Sequence, residues 1–267
     1  MVDLHIHTSF SPDSFEEPET YINEAIKKNV SILGFSEHID FDYVFLNFDN
    51  VLTNIEGYCK NTNRLKNLNT DKIKLLCGGE FGYCNLKKAH NKYKEINNKY
   101  PLDYVINSVH IVDKQESYFA PYFKDKTKQF AYDRYFETVL ESLDVPYDFQ
   151  IIGHLGYVSR NAPYKDAKIL LSEHQNLIDE ILKKIISLEK TIEINTNVRT
   201  AGSYTLPSME ILNRYFTLGG RLITLSSDAH RIEQLFYRFD DALKDIKKIG
   251  FKSLAYYENK KLSLIKL

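Results

Sequence analysis

Residues 1–14, MVDLHIHTSFSPDS, place two histidines in the first apolar run of the chain. His5 and His7 are one residue apart, and Asp13 follows six residues after His7. Because residues i and i+2 of a strand point to the same side, the two imidazoles would face one cavity. Imidazole and carboxylate groups are ligands of divalent metal ions. A lone His-x-His pair also arises by chance, so the rest of the chain decides what it means.

Short apolar runs alternate with longer segments of helical periodicity along the whole chain. Strands are predicted at residues 2–7, 32–36, 73–80, 104–110, 149–154, 191–195 and 222–226. Helices are predicted at residues 19–29, 86–99, 127–143, 172–188, 207–218 and 233–249. Ser172, with Gln175 three residues later, resembles a capping box, and Pro207 suits a first helical position.

Repeated strand–helix units predict an α/β fold with a parallel sheet wrapped by helices. Seven units without a linker indicate a closed or nearly closed barrel in a single domain, residues 1–267. An open doubly wound sheet is the alternative. Residues 251–257 and 262–267 would add one or two terminal strands outside the regular pattern.

The bulk composition narrows the function classes. The formal net charge of −1 provides no overall basic field for nucleic acid. Three cysteines without a Cys-x-x-Cys spacing favour a reducing cytoplasm over a disulfide framework. We expect no signal peptide and no membrane span, because neither pattern occurs. The oligomeric state is left open.

Six of the eight histidines stand at the ends of predicted strands. The polar residues there are His5, His7, Asp13, Glu37, His38, Glu80, His110, His154, Asn195, Arg199, Asp228 and His230. In an α/β barrel those ends meet on one face, which carries the active site. Clustered imidazoles and carboxylates need a cation between them, so we expect a metal centre. His90 and His174 lie in polar helical stretches and are expected to be surface residues without a chemical role.

The number of candidate ligands suggests several ions. A catalytic zinc ion takes about three protein ligands and keeps one position open. The nine candidates are His5, His7, Asp13, His38, Glu80, His110, His154, Asp228 and His230. With one bridging carboxylate, this set would suit three divalent ions.

The segments DLHIHTSFSPDS, GFSEH, GGE, SVH, GHLG and SSDAH, in this order, resemble the polymerase-and-histidinol-phosphatase (PHP) superfamily, and within it the histidinol-phosphate phosphatases. The resemblance implies a distorted (β/α)7 barrel with three divalent ions, zinc or else manganese or iron. It implies a first ion on His5, His7, Glu80 and Asp228, a second on Glu80, His110 and His154, and a third on Asp13, His38 and His230. Some relatives have histidine in place of Asp13. The carboxylate oxygen of Asp13 would make the third site a harder ligand set than an imidazole nitrogen would.

The reaction expected from this resemblance is hydrolysis of L-histidinol phosphate by attack of a metal-bridging hydroxide on phosphorus. Glu80 would bridge two ions, and Asp228 and His230 would handle protons or act only as ligands. Arg160 and Arg199 are candidates for binding the phosphate, since a guanidinium matches phosphate oxygens.

The remaining substrate contacts are less constrained by the sequence. Asp42 and Glu116 are candidates for pairing with the substrate amine, and Phe119 for stacking on its imidazole; a structural role stays open for all three. The alternatives are a PHP-type protein-tyrosine phosphatase, a PHP-type nuclease and a metal-buffering module. A basic groove for nucleic acid is not evident in this sequence.

Overall fold

A seven-stranded parallel sheet forms the centre of the computed structural model, which describes residues 1–41, 53–198 and 203–267. The strands are β1 (Val2–Asp3), β2 (Ile32–Asp40), β3 (Lys74–Gly82), β4 (Tyr104–Ser108), β5 (Ile111–Val112), β6 (Gln115–Glu116), β7 (Ile151–Ile152), β8 (Thr191–Asn195), β9 (Ile223–Ser226), β10 (Ser253–Glu258) and β11 (Lys261–Lys266). The order across the main sheet is β1-β2-β3-β4-β7-β8-β9. A parallel bridge between Ile6 and Ala229 joins its first and last edges, so the sheet is nearly closed. The predicted α/β class, a distorted (β/α)7 barrel, is confirmed.

Helices connect successive barrel strands, and a last helix leads from β9 to the terminal strands. They are α1 (Pro18–Lys27), α2 (Ile55–Leu68), α3 (Lys87–Lys99), α4 (Ala120–Phe123), α5 (Lys128–Ser142), α6 (Leu171–Ser187), α7 (Met209–Thr217) and α8 (Phe239–Ile249). Each long helix buries one face, as α8 does with Phe239, Ala242 and Ile246 at helical spacing. Within the described part of the chain, no helix has both the length and the apolar character needed to cross a membrane.

A tyrosine and two small residues set the packing inside the barrel. The Tyr104 hydroxyl donates to the carbonyl oxygen of Leu4 at 2.7 Å. A Cβ at Gly78 would lie 2.3 Å from the Tyr104 ring, and one at Gly34 would lie 2.2 Å from its hydroxyl. The glycines therefore give the ring its space, and the ring links three strands below the carboxyl-terminal rim.

Two predicted helix starts are wrong. The helix that includes Ser172 begins at Leu171 after Leu170, whose side chain forms no cap, and its backbone is non-helical at His174. Pro207 lies before its helix, because Ser208 is the N-cap and accepts from the backbone N–H of Ile211.

Two other elements complete the fold. Helix α2 was absent from the predicted set, although it buries Ile55, Tyr58, Cys59, Thr62 and Leu65. The two terminal strands are present as an antiparallel hairpin of β10 and β11, which is separate from the barrel sheet. Neither element interrupts the alternation that places the strand ends on one face.

Candidate metal centre and substrate pocket

The nine predicted ligands converge at the carboxyl-terminal rim of the barrel. His38 and Glu80 lie within β2 and β3, and the others lie in the segments that follow barrel strands. His5, His7, Glu80, His110, His154 and Asp228 are buried. The Asp13 side chain is 51% exposed, so the cluster is open on one side.

The first set brings His5, His7 and Glu80 together, and Asp228 lies next to both imidazoles. Nε2 of His5 lies 3.4 Å from Oε2 of Glu80 and 3.5 Å from Oδ1 of Asp228. Nε2 of His7 lies 3.6 Å and 3.4 Å from the same two oxygens. Donors about 2.0–2.2 Å from a tetrahedral ion would be about 3.3–3.6 Å apart. The imidazole-to-carboxylate separations therefore suit one divalent ion held by His5, His7 and Glu80, whose donor atoms all lie within 4.8 Å of one another, with Asp228 beside the two imidazoles.

A second set of donors uses the other oxygen of Glu80. Oε1 of Glu80 lies 3.2 Å from Nε2 of His110 and 2.9 Å from Nε2 of His154. The two imidazole nitrogens are 3.2 Å apart. Glu80 thus presents one carboxylate oxygen to each set, which is the arrangement of a bridging ligand.

A third set of donors lies on the open side of the cluster. Oδ2 of Asp13 lies 3.4 Å from Nε2 of His38 and 3.0 Å from Nε2 of His230. The His7 ring stacks between the rings of His38 and His230, with centroids 4.2 Å away on each side. Ligand atoms of these four residues lie within 4.8 Å of one another. This set combines imidazole nitrogens with a partly solvated carboxylate.

Buried donor atoms without a hydrogen-bond partner support the same chemistry. Among the described residues, several such atoms have no hydrogen-bond partner, including Nε2 of His5, Nε2 of His7 and Oε2 of Glu80. Polar atoms buried in this way are costly unless a ligand satisfies them. Imidazole and carboxylate donors at these separations fit divalent metal ions such as zinc.

Outer side chains orient the imidazoles of the first set. Nδ1 of His5 lies 2.6 Å from Oε1 of Glu193, a carboxylate in β8. Nδ1 of His7 lies 3.1 Å from the Ser11 hydroxyl, which donates to Glu37. Such contacts fix which ring nitrogen faces the metal and raise its basicity.

A second outer carboxylate, Asp40, lies beside the other two sets, while Oε2 of Glu80 is nearer to Nδ1 of His38, at 2.9 Å. Asp40 is fully buried at the end of β2, and its oxygens lie 3.3 Å from Nδ1 of His38 and 3.6 Å from Nδ1 of His110. Sequence analysis missed both Glu193 and Asp40. Strand alternation could have indicated them, because residues two apart in a strand point to the same face. Asp40 shares its face with His38, and Glu193 shares its face with Asn195.

The charges in the cluster are strongly coupled. Burial would raise the pKa of Glu80, but the imidazoles of His5, His110 and His38 hold it well below its usual value. Burial acts to lower the pKa of His110, whereas Glu80 and Asp40 raise it to about 10. Burial together with His230 and His38 lowers the pKa of His7 to about 3. Glu80 is therefore ionised at neutral pH, as a metal ligand requires.

Arg160 follows a 3₁₀ turn, Tyr157–Ser159, and extends into the rim beside the donor sets. Its Nη2 donates to Oδ2 of Asp228 at 2.6 Å and to Oδ1 of Asn195 at 2.9 Å. Its guanidinium also lies over the Tyr157 ring, 5.2 Å from the centroid. The cation is thus held in one orientation next to the donor sets.

A pocket of about 370 Å³ opens directly onto these groups. Glu116, Tyr118, Phe119 and Tyr157 line it together with Arg160 and ligands from all three sets. The Tyr157 hydroxyl donates to Glu116 at 3.3 Å, and burial raises the pKa of that carboxyl. The Phe119 side chain remains 49% exposed. The pocket therefore places an acid and aromatic rings beside the three donor sets.

The other site predictions have different outcomes. Asp42 and Arg199 lie outside the described residues. The expectation that His174 is a surface residue is wrong, because it is buried against Tyr132 and Phe136 and contacts Asp133. His90 is half-buried and packs near the rings of Tyr83 and Tyr147. Neither histidine lines the pocket.

Comparison with known proteins gives a consistent result. Residues 3–197 match the PHP domain model. The chain is 34% identical to the histidinol-phosphatase of Lactococcus lactis over 98% of its length and 96% of that protein. It is also 34% identical to a probable histidinol-phosphatase of Clostridium acetobutylicum, over 95% of this chain and 96% of that one.

Solved structures resemble the whole chain. The crystal structure of histidinol phosphate phosphatase from Lactococcus lactis, complexed with zinc, L-histidinol and phosphate, superposes with a TM-score of 0.86 at 31% identity over 98% of both chains. A putative histidinol phosphatase from Listeria monocytogenes has a TM-score of 0.76 at 17% identity, covering 90% of this chain and 99% of that one. The second similarity supports the fold alone.

Proposed function

Because the chain belongs to the PHP domain family, we propose that it hydrolyses L-histidinol phosphate to L-histidinol and phosphate. The observation that carries the proposal is a single pocket that joins metal-type donor sets, a fixed guanidinium and a buried acid. These groups match the phosphate and the amine of this substrate. The similarity to histidinol-phosphatases over nearly the full chain supports the same substrate.

The residues would hold three divalent ions in the sets defined above. The first is His5, His7, Glu80 and Asp228; the second is Glu80, His110 and His154; the third is Asp13, His38 and His230. When bound, such ions supply Lewis acidity and make hydroxide available near neutral pH. Zinc in the Lactococcus relative supports zinc here, and the Asp13 carboxylate would also suit manganese or iron.

The chain's own groups position the phosphoryl group and its leaving alcohol. Arg160 donates to a phosphate oxygen, while its bonds to Asp228 and Asn195 keep it in place. Glu80 stays ionised and fixes the first two donor sets relative to each other. Asp228 and His230 are the candidate proton-handling groups, and the His230 side chain is the more exposed of the two, at 22%.

Glu116 and Phe119 would recognise the histidinol part. The Glu116 carboxylate pairs with the substrate ammonium, and the exposed Phe119 ring stacks on the imidazole. Asp42 and Arg199 stay sequence-based candidates for the amine and the phosphate. A cytoplasmic location also belongs to the proposal, and it is supported by the three cysteines, none of which forms a disulfide: Cys59, Cys77 and Cys84.

Steady-state kinetics on two substrates tests this function. Metal-reconstituted protein is assayed with histidinol phosphate and with the matching ester that lacks the amine. We expect Glu116→Gln to lower kcat/KM by about tenfold on the first substrate and by much less on the second. Glu137→Gln, which removes an exposed carboxylate from α5, is the control. Equal losses on both substrates would exclude amine recognition, and activity restricted to phosphotyrosine peptides would contradict the proposed function.

A further inference from the structure

The substrate pocket continues past the Asp13 side of the rim into a second cavity of about 340 Å³. This second cavity adds Arg231 and Gln234 to five residues that it shares with the first pocket, which are Asp13, Tyr118, Arg160, Asn197 and His230. We call it the Arg231 limb, and we call the part of the pocket lined by Glu116 and Phe119 the Glu116 limb. The phosphate-binding guanidinium of Arg160 lines both limbs.

Hydrogen-bond donors dominate the Arg231 limb. Oε1 of Gln234 accepts from the backbone N–H groups of His230 and Arg231, at 2.8 and 3.1 Å. This leaves the Gln234 NH₂ as the end that can donate to a ligand. The Arg231 side chain is exposed and carries five N–H donors. The carboxylate in this limb, Asp13, is already paired with His38 and His230.

The two limbs therefore select opposite charges. The Glu116 limb offers a carboxylate and aromatic rings, which suit a cationic group. The Arg231 limb offers a guanidinium and an amide donor, which suit an anionic group such as a carboxylate. A substrate phosphate held at Arg160 would leave either limb available to the rest of the molecule.

We propose that the enzyme accepts a second substrate class, phosphomonoesters whose alcohol carries a second anionic group, and that Arg231 and Gln234 bind that group. This inference rests on the proposed function, because the same metal ligands would perform the hydrolysis. Water forms the new P–O bond, the ester P–O bond breaks, and the alkoxide leaves as the alcohol after taking up a proton. No further reactant is needed.

Two amine-free esters that differ in one group test the inference. 3-Phosphoglycerate carries a carboxylate where glycerol 3-phosphate carries a hydroxymethyl group, and neither has a cation for the Glu116 limb. We expect a higher kcat/KM for 3-phosphoglycerate, by about fivefold, which is the size of an exposed charge-assisted contact. Arg231→Gln should bring the ratio of the two kcat/KM values close to one, whereas Arg231→Lys should retain part of the preference. Arg64→Gln removes the same charge from α2 and should leave the ratio unchanged.

The outcomes separate this inference from the proposed function. A wild-type ratio near one, or a ratio that Arg231→Gln does not alter, would overturn the Arg231 limb as an anion site while histidinol phosphate is still hydrolysed. Equal losses on both esters would also overturn it, since the arginine would then act on the shared phosphate. Failure to hydrolyse histidinol phosphate and both esters would overturn the proposed function itself, and this inference with it.

Discussion

Two regions of this protein bury histidine next to carboxylate, and they differ in how many elements contribute. At the barrel rim, imidazoles and carboxylates from six strand ends meet in overlapping donor sets. Between α5 and α6, the single imidazole of His174 lies 2.6 Å from Asp133 and is covered by aromatic rings. The rim has several unpaired donor atoms facing one another, whereas His174 has a single one, Nε2, and an acidic partner at its Nδ1.

The difference shows which feature indicates a metal site. Burial of a histidine does not indicate a metal site, because the His174 side chain is as inaccessible to solvent as that of His5. A single carboxylate partner does not indicate one either, since Asp133 gives Nδ1 of His174 an ordinary hydrogen bond while Nε2 of the same ring is buried without one. What distinguishes the rim is the convergence of several donors at the spacing of ligands around an ion.

The largest expected effect comes from the carboxylate shared by two donor sets. Glu80→Gln keeps the shape of the side chain but replaces one bridging oxygen and removes the charge. We expect kcat/KM for histidinol phosphate to fall by at least about 10³-fold, because two ion sites are disrupted together. Steady-state kinetics at fixed metal concentration measures this.

The matched variant in the other region is Asp133→Asn. It removes the acidic partner of a buried histidine. The kcat/KM for histidinol phosphate should stay within about twofold of the wild-type value, because this pair is remote from the donor sets. A similar loss of activity in both variants would break the distinction between the two regions.

A smaller effect is expected from the carboxylate behind His5. Glu193→Gln removes the charge that orients this imidazole and should weaken metal affinity by about 10–100-fold. Competition with a chromophoric chelator measures the affinity directly, without reference to turnover. Glu180→Gln, an exposed position on α6, provides the control. Unchanged affinity in Glu193→Gln would show that the contact is only structural.

The smallest effect is expected on stability at the His174 pair. Asp133→Asn should lower the free energy of unfolding by about 1 kcal/mol, because the Asp133 side chain is 35% exposed and solvent screens the pair. Urea denaturation of the metal-free proteins measures the difference. Metal content should not change; a loss of bound metal would mean that this region contributes to the centre.

Much of this arrangement could be predicted from the sequence. Apolar runs located all seven barrel strands, and the histidines at their ends indicated the rim. The buried face of each strand fixes its register in the sheet. The polar residue that ends each apolar run therefore has a defined position at the rim. For that reason the nine candidates were found without any knowledge of their contacts.

Other features depend on information that a local pattern does not contain. His174 reads as a polar surface residue, but the packing of α5 against α6 buries it. The roles of Glu193 and Asp40 depend on which imidazole nitrogen lies opposite them, which only tertiary structure determines. Helix α6 begins at Leu171 without a side-chain cap, and its backbone departs from helical geometry at His174, which the Ser172 pattern does not indicate.

The central claim is that the rim holds divalent ions that the His174 region does not. Elemental analysis of zinc-loaded, desalted protein tests it most directly, in wild type, Glu80→Gln and Asp133→Asn. We predict about three zinc ions per chain in wild type and Asp133→Asn, and clearly fewer in Glu80→Gln. A wild-type protein that retains no metal and still hydrolyses histidinol phosphate at an undiminished rate would contradict the account.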